Sequence, residues 1–334
     1  MPFVEGNPFG LVYDGAIEEN VEGAVNIRAV SYKNLQGIKI AANLYLPAGY
    51  DEGDSRAAVV VAHPNGGVKE QVAGLFAQRL AEAGYVALAY DAAYQGASGG
   101  EPRQTDSPAS RVEDIRASVD YLLTVPGVDA GRIGALGVCG GGGYTIAATA
   151  ADKRIKAAAT IGAFNTGRVR RNGFRDADLA GIPGRLAQAA AAREAYAKTG
   201  EVISVGNLST GRVMFTDEQL AKIPAGLYRD GAWYYGSAYY HPNSQSRYTA
   251  MSLMDLMTFD AEDHADLIDQ PLLMMVGDVA DTRYMTEGIY ERATGTKDKK
   301  LVLIPGASHI EAYWKPEYVS AEEAELESFF GRTL

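Results

Sequence analysis

The sequence has one cysteine in 334 residues, so no disulfide can form within the chain, and a lone thiol suits a reducing compartment. Long apolar runs are missing too, and none approaches the length that spans a bilayer. The opening, MPFVEGNPFGLVYDGAIEEN, lacks both the basic and the continuous apolar segment of a secretory leader. A soluble, cytoplasmic protein is the expectation. Basic charge is in short supply: 31 Lys and Arg against 42 Asp and Glu leave a formal charge of -11. That balance argues against nucleic acid or anionic membrane as a partner, since both need clustered cations. The one dense basic stretch, GRVRRNGFR, runs straight into Asp176 and Asp178 and reads as a solvated face or a small-anion contact.

The residues that are present describe a sizeable core, at 47% hydrophobic content. Ile38, Ile40, Ala42, Leu44 and Leu46 alternate up to Pro47, which predicts a half-exposed strand after VNIRAVSY and an antiparallel start. Six later runs are apolar throughout: Ala57–His63, Tyr85–Asp91, Arg132–Cys139, Ile155–Gly162, Pro271–Asp278 and Lys300–Gly306. Continuous apolar character marks strands covered on both faces, as in a parallel sheet. Between them, Val72, Leu75, Phe76, Leu80 and Ala83, and then Val112, Ile115, Val119, Leu122 and Leu123, recur at helical spacing. Ser320 with Glu323 reads as a capping box opening the last helix. The fold class is α/β, a doubly wound and mostly parallel sheet. Residues 163–270 break the rhythm with an Ala-rich helical piece and the tyrosine-rich GLYRDGAWYYGSAYYHPNSQSRYTAMS. They are expected to form a largely helical cap inserted in a core made of 1–162 and 271–334.

Gly137-Val138-Cys139-Gly140-Gly141 has the form G-x-C-x-G, the thiol version of the strand-to-helix turn that exposes a nucleophile. Glycines two positions either side of the cysteine are needed because side chains there would strike neighbouring backbone. A cysteine nucleophile needs a base, and the chain offers His63, His241, His264 and His309. Of these, His309, in LVLIPGASH, is preferred, because an apolar strand ends there and a Gly-Ala-Ser loop delivers the imidazole at the edge where open α/β sheets bind ligands. His63 is expected to hold a loop, and His264 to be solvated. GDVADTR supplies two candidate acids for the imidazole, Asp278 and Asp281, and Asp281 is preferred because it lies further along the loop. The N–H of Gly140, with that of Asn65 or Gly66 in HPNGG, would hold a developing oxyanion. Trp233, Tyr235 and Tyr239 are candidates for an acyl-binding wall.

The ordered set HPNGG, YDAAYQGASGG, GVCGGG, GDVADTR and PGASH resembles the α/β-hydrolase superfamily, in its dienelactone-hydrolase-like branch, where cysteine often stands in place of serine. The resemblance covers about residues 57–162 and 271 to the end, and implies the α/β-hydrolase fold and a Cys-His-Asp triad. Two features depart from the pattern: Asp281 stands four residues after Gly277 where three is usual, and the cap is much larger than in a minimal dienelactone hydrolase. The expected activity is hydrolysis of a carboxylic ester, lactone or thioester through a covalent acyl-enzyme. Acyl transfer with the same residues, or a non-catalytic binding module on this fold, are the alternatives. A dinucleotide site fits poorly, because Thr145 stands where the third glycine of a phosphate loop would be. No metal or cofactor is called for; the expected partner is a small-molecule substrate, and homo-oligomerisation stays open.

Overall fold

The computed structural model describes residues 8–206 and 211–334. Residues 1–7, part of the opening stretch read above for a leader, lie outside them. β1 (Asn26–Lys33) and β2 (Lys39–Leu46) pair antiparallel, Asn26 opposite Leu46 and Lys33 opposite Lys39. The half-exposed character predicted for β2 belongs to β1 instead. β2 lies inside the sheet between β1 and a later strand, so Tyr45 packs on one face and Leu44 on the other.

The alternation follows as β3 (Arg56–Ala62), α1 (Val72–Glu82), β4 (Val86–Tyr90), α2 (Pro108–Leu122), β5 (Val128–Val138), α3 (Gly140–Ala151) and β6 (Ile155–Ile161). The insertion then supplies α4 (Thr166–Asn172), α5 (Ile182–Thr199), β7 (Ser204–Gly206), α6 (Asp217–Ala221), α7 (Leu227–Trp233), β8 (Arg247–Thr249) and α8 (Leu253–Leu256). The chain returns to the sheet through β9 (Leu272–Gly277), α9 (Arg283–Arg292), β10 (Lys299–Ile304) and α10 (Pro316–Thr333). The order across the sheet is β1-β2-β4-β3-β5-β6-β9-β10, with β2 antiparallel to β4 and every pairing from β4 onward parallel.

The apolar runs of β3, β4, β5, β6 and β9 are buried on both sides, whereas β10, at the edge of the sheet, is only partly covered, and the two-residue period sorts them. Val59, Val61, Leu136 and Val138 face α1 and α10 through Leu75, Phe76, Leu326 and Phe330. Val60, Leu88 and Ala135 face α2 and α3 through Ile115, Val119 and Tyr144. α10 begins at Pro316, not at Ser320: proline at the first helical position is already set at helical φ and gives up an N–H that would have no partner there. Ser320 therefore lies inside the helix, and Glu323 pairs with Arg79 at 2.9 Å. The insertion is largely helical, but β7 and β8 form a small antiparallel ribbon that no alternation in the sequence foretold. Among the described residues no helix is long and apolar enough to cross a membrane.

Candidate active site

The carboxyl ends of β3, β5, β9 and β10 converge, and each delivers one part of the site. β5 ends at Val138 and α3 begins at Gly140, so the turn rests on Cys139 alone, at φ 54° and ψ −122°. A non-glycine residue held there stores strain of about 1–3 kcal/mol, and the surroundings must enforce it. They do so by close packing. A Cβ on Gly137 would lie 2.4 Å from the Gly141 carbonyl oxygen, and one on Gly141 would lie 2.4 Å from that of Ala62. The Cys139 N–H donates to Ile161 at 2.9 Å, and its carbonyl accepts from Gly142 at 2.8 Å and Phe164 at 2.9 Å.

The sulfur faces the backbone N–H groups of Gly140 and Asn65 and the hydroxyl of Tyr313. All three hold the thiol pKa down, but burial outweighs them and pushes it above its ordinary value. Asn65 stands on the loop after β3. His63 anchors that loop: it accepts the Ala92 N–H at Nε2 (3.0 Å), which leaves Nδ1 to donate to the Pro64 carbonyl at 2.7 Å. Burial pushes this imidazole down to about 3, so it stays neutral and works as a brace. Further along the loop, Lys69 donates from its N–H and its Nζ to Asp91 at the end of β4, both at 2.9 Å. Gly66 does not aim at the sulfur; its carbonyl accepts from Gln245 N–H and the Ser244 hydroxyl and ties the loop to the insertion.

His309 follows β10 and is buried. Both ring nitrogens meet hydroxyls: Nδ1 pairs with Thr282 Oγ1 at 2.6 Å and Nε2 with Tyr313 Oη at 2.8 Å. With no carboxylate beside it, the imidazole is pushed down to about 4 by burial. Neither candidate aspartate hydrogen-bonds to it. Asp278 Oδ1 accepts the Gly306 N–H at 2.7 Å and braces the loop leading to His309. Asp281 Oδ2 accepts the Leu227 N–H at 3.0 Å and caps the N-terminus of α7, holding the insertion to the sheet. The adjacent residue, Thr282, turns inward and is fully buried. The structure thus brings Cys139, Gly140, Asn65 and His309 to one place and sets Asp278 and Asp281 apart from it.

A cavity of about 400 Å³ opens from Cys139 under the insertion, lined in the main by apolar and aromatic groups including Phe164, Val213, Phe215, Tyr235 and Ile310. Of the three aromatic candidates, only Tyr235 is in this lining. Trp233 and Tyr239 pack on each other and on Trp314, and the Tyr239 hydroxyl donates to Asp14 at 2.9 Å; α7 passes at Tyr234–Ala238 into a wider helical turn that Tyr239 has already left, so these residues do not follow one α-helical face.

Sequence reasoning missed Thr282, Tyr313 and Arg170. Tyr313 left a trace, since it lies one helical turn beyond His309. Arg170 belongs to the basic stretch. Its neighbours are paired, Arg168 with Asp176 and Glu262, Arg171 with Asp260. Arg170 enters the cavity as the only charged residue of the described lining; its guanidinium lies 4.6 Å from the Tyr248 ring centroid and its Nε is buried without a hydrogen bond.

Residues 40–166 match the model of the dienelactone hydrolase family. The uncharacterized Escherichia coli protein YcjY is 37% identical over 319 residues, which is 91% of this chain and 98% of YcjY. The crystal structure of the hypothetical protein PA2218 from Pseudomonas aeruginosa superposes with a TM-score of 0.82 at 31% identity, covering 96% of this chain and 97% of that one. The thiohydrolase aneE of Aspergillus aculeatus is 35% identical over 127 residues, 38% of each chain. The chain belongs to the α/β-hydrolase superfamily, in its dienelactone-hydrolase-like branch, and is a hydrolase of that fold.

Proposed function

We propose that the protein cleaves a carboxylic ester or thioester, or a lactone, through a covalent acyl-enzyme on Cys139. The observation that carries this reading is the position of the sulfur, held on a strained turn between the N–H groups of Gly140 and Asn65 and open to an apolar cavity. A substrate carbonyl seated against Cys139 has its oxygen directed at those two donors. As sulfur attacks the carbonyl carbon, the thiol proton leaves for His309, the oxyanion is held by the backbone donors, and the leaving group departs with the returned proton. Water then repeats the sequence on the thioester and frees the acid. Thiol and imidazole both rest uncharged, since burial raises one pKa and lowers the other. The proton therefore moves during attack, without a standing thiolate–imidazolium pair.

The printed activity of the relative aneE, a thiohydrolase, supports thioesters as one substrate class. Cavity size and lining suit a medium-sized apolar acyl group, and Arg170 suits one that ends in a carboxylate or another anion. A lone free thiol fits the reducing cytoplasm, where we place the protein.

Activated aryl esters and short-chain acyl thioesters test the reading. The wild-type protein is expected to consume both with a burst, and Cys139→Ala to lose at least about a thousandfold in rate while melting at a similar temperature. Hydrolysis that survives in Cys139→Ala would end the covalent mechanism. Product formed with an added alcohol or amine, in preference to the free acid, would identify the protein as an acyltransferase using the same residues.

A further inference from the structure

Cys139 and His309 share no direct hydrogen bond. The nitrogen that would face the thiol, Nε2, is occupied by the Tyr313 hydroxyl at 2.8 Å, and the same hydroxyl faces the Cys139 sulfur. The other nitrogen is taken by Thr282. We propose that Tyr313 is a catalytic residue that carries the proton from Cys139 to His309 and back, a role that rests on Cys139 being the nucleophile.

The phenol is held in place for this. Tyr313 sits in a short helical turn, Glu311–Tyr313, and is 1% exposed. Its ring packs edge-on against Tyr234 at 5.6 Å and against His309 at 5.5 Å. Backbone and packing thus fix the oxygen between sulfur and nitrogen. A hydroxyl donates and accepts at once, so it can take one proton while giving up another. As the sulfur–carbon bond forms, the S–H bond breaks and its proton goes to Tyr313 Oη. The original Tyr313 proton passes to His309 Nε2, while the Nδ1–H donates to Thr282 Oγ1. Tyr313 ends neutral, the imidazolium carries the positive charge, and the oxyanion carries the negative one. Collapse of the tetrahedral intermediate reverses both transfers: Nε2–H returns a proton to Tyr313, which gives its own to the leaving group. No oxidant or cofactor enters the balance.

The competing role is a latch, in which Tyr313 separates Cys139 from His309 and must swing out before they meet. The two are told apart by the full chain carrying Tyr313→Phe, with single-turnover acylation by an activated aryl ester as the readout. The relay predicts acylation slower by about a hundredfold or more, the usual size of a lost proton-transfer group, with substrate affinity unchanged. A latch predicts acylation as fast as wild type or faster, and that result would overturn the relay. The second measurement needs no variant: the rate of wild-type acylation across mixtures of light and heavy water. A relay moves two protons in one step and gives a bowed dependence, whereas a straight line contradicts it even if Tyr313→Phe fails to fold. Cys139→Ala keeps the two claims separate. If that variant is inert while Tyr313→Phe is fully active, only the relay is lost; if it stays active, the nucleophile itself was misassigned.

Discussion

The two halves of the site are built on different terms. Around Cys139 the turn and the donors are set by backbone, the N–H groups of Gly140 and Asn65 and carbonyls packed so closely against Gly137 and Gly141 that no Cβ fits, and the Tyr313 hydroxyl is the side chain that reaches the sulfur. Around His309 the partners are side-chain hydroxyls, Thr282 and Tyr313, with no carboxylate in the position a triad acid would fill. Backbone geometry admits few sequences, while a side-chain partner can be exchanged for another of similar reach. The first half is therefore rigidly specified. The second is where this chain departs from the pattern of its superfamily, and where its chemistry has to be read from atoms.

Gly140→Ala is expected to have the largest effect on the Cys139 half. The new Cβ would lie 2.1 Å from Asn65 Oδ1, so the Asn65 carboxamide has to leave its place and its bond to Thr166, and the second N–H donor loses that anchor. Loss of one oxyanion donor costs on the order of a hundredfold or more in kcat, and steady-state kinetics on an aryl ester reads it. An intact rate would mean that the two N–H groups do not act on the substrate.

Thr282→Asp sharpens the other half. His309 is held down to about 4 and, as the proposed base, must be neutral to accept a proton, so wild-type activity is expected to rise as pH climbs through about 4 and to stay level above it. A carboxylate at 282 favours the imidazolium, raises the histidine pKa, and moves the acid limb of the kcat/KM profile upward toward the ordinary imidazole range. Activity below pH 6 falls in the variant. An acid limb that stays near pH 4 would show that residue 282 does not govern the base.

Arg170→Gln has a smaller effect, confined to substrate choice. The kcat/KM for an ester whose acyl chain ends in a carboxylate is expected to fall about tenfold, the size of one lost charge-assisted hydrogen bond. The uncharged analogue of that ester is unaffected. Equal losses on both esters would remove Arg170 from substrate recognition.

Asp281→Ala is the mildest. It removes the cap of α7 and is expected to cost about 1 kcal/mol in stability, seen in the melting temperature. The pH profile stays where it was. A shifted acid limb would restore Asp281 as the partner of His309.

What was legible in the sequence follows the same division. The positions of the strands and the mostly parallel character of the sheet could be anticipated because buried parallel strands read as unbroken apolar runs, and the elbow because Gly137 and Gly141 are steric requirements. Such rules pointed to Cys139, Gly140, His309 and the loop of Asn65 and Gly66, and left open which of those two faces the sulfur. The partner of His309 was not, because GDVADTR offers Asp278, Asp281 and Thr282 within five residues, and a loop decides which one faces inward by packing that leaves no periodic trace. Thr282 is buried while Asp281 reaches across to α7. The aromatic wall was only partly legible for a related reason. Trp233 ends α7, Tyr235 lies in the wider helical turn that follows and Tyr239 lies just past it, so Tyr235 reaches the cavity while Tyr239 enters the core and Trp233 packs against it.

The central claim is that catalysis runs through an acyl group on Cys139, and mass spectrometry of the intact protein tests it most directly. The wild-type chain, mixed with an activated aryl ester and quenched within the burst, is expected to gain the mass of one acyl group, mapped by digestion to the peptide holding Cys139 and lost again as turnover ends. Turnover without that adduct, or with the acyl group on another residue, would contradict the account.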